Sequence, residues 1–313
     1  MLSKKDKYNV AVVGATGIVG ESLLDIISTR NFPVNNLHAV ASQKSKGSKV
    51  KYGSTLLTVE ALDEFDFSDI DIAFFSAGGS ISKQYVPIAT KQKCIVIDNT
   101  SEYRYIDNIP LIVPEVNGDD IEKYTATNII ANPNCSTIQM LVALKPIHDL
   151  FSIKSINVST YQAVSGSGKD GVVELLEQSS SYIEQRIIDK KVYPKQIAFN
   201  VIPFVDSFLE NKYTREEMKM VWETQKILDK NILVNPTAVR VPVLVGHAES
   251  IYIETNKEVD IEILLSEFEK FEGITVVDDT ENLEFPTPFE QGHGTDNVYV
   301  GRVRKSLDKN NAL

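Results

Sequence analysis

The sequence predicts an α/β domain on a parallel sheet followed by an α+β domain on a mixed sheet. Three observations lead there. A continuous apolar run at 8–13 stops at a glycine-spaced turn, 14–20, and a helical pattern follows. Further short buried-strand runs then alternate with helical stretches, the pattern of a parallel sheet covered on both faces. After residue 130 that alternation gives way to strong amphipathic helices and short Val/Ile-rich strands.

Taken in order, the first helix places Val19, Leu23, Leu24, Ile26 and Ile27 on one broad face. Strands are expected at 37–41, 71–75, 94–98 and 111–113, with a helix over 81–92 that Pro87 could bend. Asn132-Pro133-Asn134 is a turn leading into a helix over 135–149. A strand at 155–164, a polar glycine loop at 165–171 and a helix near 170–185 come next. Thr214 to Lys230 reads as an amphipathic helix, with Thr214 and Glu217 spaced as a capping box. Strands are expected at 238–246, 249–255 and 273–277, with a helix from Asp260 to about Phe271. The basic stretch 295–313 looks helical and able to return to the first domain. The division is then 1–132, completed by a C-terminal helix at about 297–313, and 133–296.

Composition bounds the function. The chain has 313 residues, 42% of them hydrophobic, which is too apolar for disorder and long enough for about two domains. The net charge of −11 argues against non-specific binding to nucleic acid or anionic membrane. No run approaches the roughly 18 apolar residues of a membrane span, and the N-terminus has no apolar signal core. Two cysteines cannot build a disulfide framework, so a reducing cytoplasm is expected. No metal site is expected.

Gly14, Gly17 and Gly20, set between strand and helix with Thr16, Ile18 and Val19, fit a dinucleotide-binding turn. Glycines let backbone N–H groups approach a pyrophosphate, and the helix N-terminus favours the anion. Spaced glycines also occur at plain strand–helix turns; the flanking strand and helix favour the nucleotide. The second strand ends in Ala41-Ser42-Gln43-Lys44-Ser45, without the acid that holds a ribose 2′-hydroxyl. Ser42, Lys44 and Ser45 suit a 2′-phosphate, so NADP is the expected cofactor; the plainer reading is a solvated basic loop.

Cys135 opens a helix behind Asn134, where the helix terminus stabilises a thiolate. Cys94, inside an apolar strand, reads as an inert core thiol. A thiolate beside a nicotinamide suggests acyl transfer to sulfur followed by hydride reduction. Of four histidines, His38 and His148 read as structural and His293 lies in a loop of unclear role. His247 follows a Val-rich strand whose end could aim it into a cleft. Arg104 follows a strand end, where a guanidinium can pair with phosphate or carboxylate oxygens. Glu216 and Lys219 are neighbours on a helix face, a spacing that also describes an ordinary surface ion pair.

Together these segments resemble the aspartate-semialdehyde dehydrogenase family. The resemblance runs from the turn at 14–20 through Asn132-Pro133-Asn134-Cys135-Ser136-Thr137, the stretches 160–168, 198–203 and 240–250, to Val300-Gly301-Arg302-Val303-Arg304. It implies a Rossmann-type domain, an α+β catalytic and dimerisation domain, and a site in the cleft between them. It implies NADP-dependent reduction of L-aspartyl-4-phosphate to L-aspartate 4-semialdehyde, a step toward lysine, methionine, threonine and diaminopimelate, by a homodimer or homotetramer. Cys135 would be the acyl-thioester nucleophile, His247 the general acid/base, and Gln162 would orient substrate. Arg240 would hold the substrate α-carboxylate, Glu216 its ammonium, and Arg104 and Lys219 the phosphate. Ser165, Gly166 and Asn297 would lie beside the cofactor. Asn297 is shorter than the glutamine common at that position in the family, and Glu102 stands where a small residue is common. Two other readings are a related acyl-phosphate reductase acting on N-acetyl-glutamyl phosphate and a non-catalytic dinucleotide-binding redox sensor. An acetylated amine needs no Glu216, and a sensor needs no Cys135.

Overall fold

The computed structural model describes residues 4–313, which form two compact units: residues up to Ile112 with Asn117–Pro133, and Val113–Val116 with Asn134–Leu313. In chain order the elements are β1 (Tyr8–Val13), α1 (Ile18–Thr29), β2 (Val34–Ala41), β3 (Lys49–Tyr52), β4 (Thr55–Ala61), β5 (Ile72–Phe75), α2 (Gly79–Lys91), β6 (Ile95–Asp98), α3 (Pro114–Asn117) and β7 (Ile129–Ala131). There follow α4 (Cys135–Phe151), β8 (Ile153–Gln162), α5 (Lys169–Ile183), α6 (Arg215–Ile227), β9 (Leu233–Arg240), β10 (Ala248–Thr255), α7 (Ile261–Phe268), β11 (Ile274–Val276) and β12 (Val298–Val300).

The first unit is a seven-stranded sheet in the order β3-β4-β2-β1-β5-β6-β7. All pairs are parallel except β3–β4, so β3 is an antiparallel edge. The six parallel strands run third, second, first, fourth, fifth, sixth, the doubly wound dinucleotide-binding order, whose switch point lies between β1 and β5. Buried Val10, Val12, Leu24, Ile27, Ala39, Ala41 and Val59 make its core. Of the apolar face predicted for α1, Leu24 and Ile27 are buried, whereas Val19 and Ile26 are exposed.

The second unit holds a mixed sheet, β10-β8-β9, with β8 parallel to β9 and antiparallel to β10. Helix α6 packs on β9, and α4 on β8 and β10. Strand β8 alternates strictly enough to aim Ile156, Val158, Thr160 and Gln162 inward and leave Tyr161 exposed. Pro236 is accommodated because β9 is an edge strand.

Three expectations need correction. The stretch 295–313 is not a helix: Val298–Val300 forms β12, parallel to β11, and the chain then runs irregularly within the second unit. A Val-Tyr-Val run favours a strand, and at Gly301 a Cβ would sit 2.2 Å from the Val277 carbonyl oxygen, so backbones pack there too closely for a helix. Its end instead pairs with β10, through two Ile253–Leu313 backbone bonds. The strand expected at 238–246 is β9, displaced to Leu233–Arg240; Pro242 and Gly246, at φ +80°, take the following segment out of the sheet. At 111–113 there is a single bridge, Leu111 to Ala131, and no strand. Among the described residues no helix is long and apolar enough to cross a membrane.

Candidate active site

The turn between β1 and α1 shows why each glycine is there. Gly14 has φ +94°, and a Cβ on it would meet the Ser76 backbone at 2.8 Å, at the switch point. At Gly20 a Cβ would lie 2.1 Å from the Gly14 carbonyl oxygen, so α1 packs directly on the turn. Gly17 has only one contact at 3.4 Å and is the N-cap of α1 without any side-chain cap. The helix N-terminus therefore has no side chain capping it, which fits the pyrophosphate of a dinucleotide. Ile18 and Val19 open the helix, and Thr16 lies in the turn. At the end of β2, Ser42 and Lys44 are exposed and Ser45 is half-buried; Lys46 is ion-paired with Glu64.

Arg104 also belongs to the first unit. It is buried, and its Nη2 donates to the Asn99 carbonyl at 3.0 Å. Burial raises the Asp98 carboxyl above its ordinary range, against bonds from Ser82 and Thr100 and the Arg104 charge. Cys94 is fully buried, and burial pushes its thiol up to about 12, as suits an inert core cysteine. His38 pairs with Glu60, and His148 sits 4.0 Å from Asp229.

The second unit contains a pocket of about 340 Å³ lined by Cys135, His247, Gln162, Arg240, Glu216 and Lys219, with Asn134, Gly166, Ser167, Val205 and Asp206. Cys135 is exposed and is the first residue of α4. Asn134 caps that helix, its Oδ1 accepting from Ser136 N (3.0 Å) and Thr137 N (3.4 Å). The other end of the same amide, Nδ2, donates to Glu216 Oε1 at 2.9 Å. Asn134 N in turn donates to Glu223 Oε2, a fully buried carboxylate, at 2.7 Å.

Glu216 is 5% exposed. Its Oε1 also accepts from Gln162 Nε2 at 3.1 Å, and its Oε2 pairs with Lys219 Nζ at 2.9 Å. Burial pushes this carboxyl up, but the Lys219 charge and the three donors outweigh it, so its pKa lies below the ordinary range. Lys219 pairs with Asp206 as well, at 3.0 Å; burial works against its charge, and the two carboxylates raise its pKa overall. Glu217, the neighbouring acid, points elsewhere: it closes the capping box with Thr214 and accepts from Ala238 N.

Arg240 ends β9, buried, with Nη1 donating to the Ala163 carbonyl at 2.7 Å. His247 Nδ1 accepts from the Ala163 N–H at 3.0 Å, which leaves the proton of the neutral ring on Nε2. Burial and then the Arg240 charge push its pKa down to about 4, against Glu216. Gly166 is explained by the same pair. A Cβ there would stand 2.9 Å from Arg240 Nη1 and 3.4 Å from His247 Cε1. Ser165 N bonds the Leu244 carbonyl, and Asn297 Nδ2 bonds Thr275 Oγ1, away from the residues that line the pocket.

Sequence reasoning missed Asp206, Ser167, Glu223 and the bridging amide of Asn134. Asp206 has φ +71° in an irregular segment, and no periodicity marks it. Glu223 lies seven residues after Glu216 on α6, two turns along the same face; that spacing was the available signal. Among the described residues no group of His, Cys, Asp and Glu could hold a metal ion.

A doubly wound first unit and, in the second, a pocket that holds a thiol, an imidazole and paired charges are those of a dinucleotide-dependent oxidoreductase. Family models agree: semialdehyde dehydrogenase, NAD binding domain, matches residues 9–124, and semialdehyde dehydrogenase, dimerisation domain, matches 144–313. The aspartate-semialdehyde dehydrogenase of Shewanella violacea is 51% identical over 98% of this chain and 90% of its own. That of Legionella pneumophila is 50% identical over 96% of this chain and 86% of its own. A crystal structure of aspartate semialdehyde dehydrogenase II from Vibrio cholerae, complexed with ASA, superposes with a TM-score of 0.96 at 47% identity, covering 98% and 91%. The chain belongs to the aspartate-semialdehyde dehydrogenase family.

Proposed function

We propose that this chain carries out the family reaction, reductive dephosphorylation of L-aspartyl-4-phosphate to L-aspartate 4-semialdehyde, through a thioester on Cys135. The supporting observation is that one pocket gathers a helix-terminal thiol, a neutral imidazole and both halves of an amino-acid clamp, Arg240 and Glu216. Arg240 binds the α-carboxylate, and Glu216 binds the ammonium in exchange for part of its bond to Lys219. That frees Lys219 to meet phosphate, with Arg104 as its partner in that role. The Cys135 thiolate, favoured by the α4 N-terminus, attacks the acyl carbon; the C–O bond breaks and phosphate leaves. The nicotinamide dinucleotide, when bound, supplies hydride for reduction of the thioester. His247, with its proton on Nε2, donates to the carbonyl oxygen as negative charge develops there, and takes that proton back as the C–S bond breaks, releasing the aldehyde and the thiolate. One such donor is commonly worth about 3–4 kcal/mol. Gln162, held between Ser136 and Glu216, orients the acyl group.

The preferred dinucleotide is NADP. Ser42, Lys44 and Ser45 end β2 without an acid among them, and the glycine turn with Thr16, Ile18 and Val19 takes the pyrophosphate; Ser165, Gly166 and Asn297 serve the nicotinamide end. The enzyme works as a homodimer through the uncovered face of β10-β8-β9, where Tyr161 and Leu233 are exposed, and in a reducing cytoplasm that keeps Cys135 a thiol. The test follows nicotinamide absorbance with the semialdehyde, phosphate and NADP⁺, omitting each in turn, and repeats it with the N-acetylated glutamate analogue and with NAD⁺. Turnover that persists without phosphate, or that prefers the acetylated substrate, overturns the reading; a preference for NAD⁺ overturns the cofactor assignment alone.

A further inference from the structure

Helix α6 grips the turn before Cys135 at two points, and the reaction accounts for only one. Glu216 takes the Asn134 side-chain amide. Glu223, seven residues and two turns further along the same face, takes the main chain, its Oε2 accepting from Asn134 N at 2.7 Å. Glu223 is fully buried. Taking a carboxylate out of water is costly, so such a group is a weak source of stability and its placement asks for another reason. A comparison of the two helices supplies one. In a capping box the N-cap side chain accepts from the N–H at the third helical position, and a Glu or Gln there reaches back to the N-cap N–H. Helix α6 closes its box locally: Thr214 Oγ1 accepts from Glu217 N at 3.2 Å, and Glu217 Oε2 accepts from Thr214 N at 2.7 Å. Helix α4 has the first half, because Asn134 Oδ1 accepts from Thr137 N. Its own third position cannot supply the second half, for it is Thr137, whose buried hydroxyl makes no hydrogen bond among the described residues. Glu223 provides that acceptor instead, at the same 2.7 Å as the local box but from 89 residues away.

A local box fixes a helix only to the chain that enters it. A box closed from α6 fixes α4 to the helix that carries Glu216 and Lys219. We propose that Glu223 is a positioning residue that closes the capping box of α4 from α6, and so holds Cys135, the residue after Asn134, in register with Glu216 and Lys219. The inference rests on the reading of Cys135 as nucleophile and of Glu216 as part of the substrate clamp. What it requires at position 223 is an oxygen that accepts from Asn134 N, whatever its charge.

The test uses E223Q and E223M in the full-length enzyme. Both new side chains are uncharged, unbranched and similar in length to glutamate, and only glutamine has an oxygen to accept with. Their difference therefore reads the hydrogen bond and not the charge. E223Q should keep kcat within about threefold of wild type. E223M should lower kcat by about 10–100-fold with KM for the semialdehyde within about twofold, the mark of a misplaced nucleophile rather than a lost binding contact. I227A removes buried apolar atoms from α6 four residues on and controls for stability alone; it should lower Tm at least as far as E223M yet keep kcat within about threefold. A second readout needs no turnover. Iodoacetamide labelling followed by mass spectrometry reports on Cys135, which is exposed, while Cys94 is buried. Cys135 should label at least about fivefold more slowly in E223M than in E223Q, because a thiol displaced from the helix terminus loses the stabilisation of its thiolate. Equal kcat and equal labelling in E223Q and E223M, or a kcat loss in I227A that matches E223M, overturns the proposal. Failure of the functional reading is distinguishable, because wild type would then not turn over the semialdehyde while the labelling difference persisted.

Discussion

The turns before α1 and before α4 solve opposite problems with the same strand–turn–helix layout. Before α1 the N-cap is Gly17, exposed and with no side chain capping the helix. Before α4 the cap is Asn134, and that amide also reaches Glu216, so the terminus is tied into a side-chain network with Cys135 at its edge. The first terminus recognises by removing atoms, the second by placing them. The first is open to an anion through its backbone, whereas the second is committed to the side chains around Asn134 and Glu216.

The comparison breaks most sharply at the sulfur. Cys135→Ser should lower turnover by at least about a thousandfold while dinucleotide binding, followed by fluorescence titration, stays at the wild-type level. Loss of both together would mean that the two termini are not separate devices. The glycine turn should fail differently. Gly20→Ala must displace the Gly14 carbonyl, at a cost of about 1–3 kcal/mol, and should weaken dinucleotide binding at least tenfold with a lowered Tm. Gly17→Ala, with room for its methyl, should keep the wild-type Tm, and a matching drop there would sink the distinction.

Asn134→Ala removes one cap, worth about 1 kcal/mol, and strips a donor from Glu216. Its kcat should fall by about tenfold or more, well beyond what the stability loss explains, as read by steady-state kinetics beside a denaturant titration. The smallest effect is in pH. His247 binds its proton less readily folded than unfolded, so between about 4 and 6.5 the unfolded chain holds the extra proton and stability rises with pH. As pH falls through that window, wild type should lose Tm relative to His247→Asn; a constant difference would mean that the imidazole is not held neutral.

How far the sequence carried depended on how local each determinant was. The β1 run, the glycine spacing, the Thr214–Glu217 capping box and the Asn134 cap are all made within a few residues, and all were legible. So was the contrast between Cys94 and Cys135, because an apolar strand and a helix start differ in the sequence itself. The β3–β4 hairpin escaped because Lys49–Tyr52 alternates charge with apolar residues on an exposed edge. The helix expected at 295–313 failed because its partner, β11, is contributed from elsewhere in the chain. Choosing Glu216 over Glu217 likewise required tertiary information: adjacent on α6, one faces Asn134, Gln162 and Lys219, the other the helix's own N-terminus and β9.

At Gly166 the backbone makes no demand for glycine, yet a single methyl group would intrude on the tips of Arg240 and His247. The nitrogen in the way is the one that donates to the Ala163 carbonyl, so a methyl group could be admitted only by disturbing that buried bond. One carbon added there would thus shift a guanidinium and an imidazole together, and the missing atom sets the spacing of the two rigid ends that line the pocket.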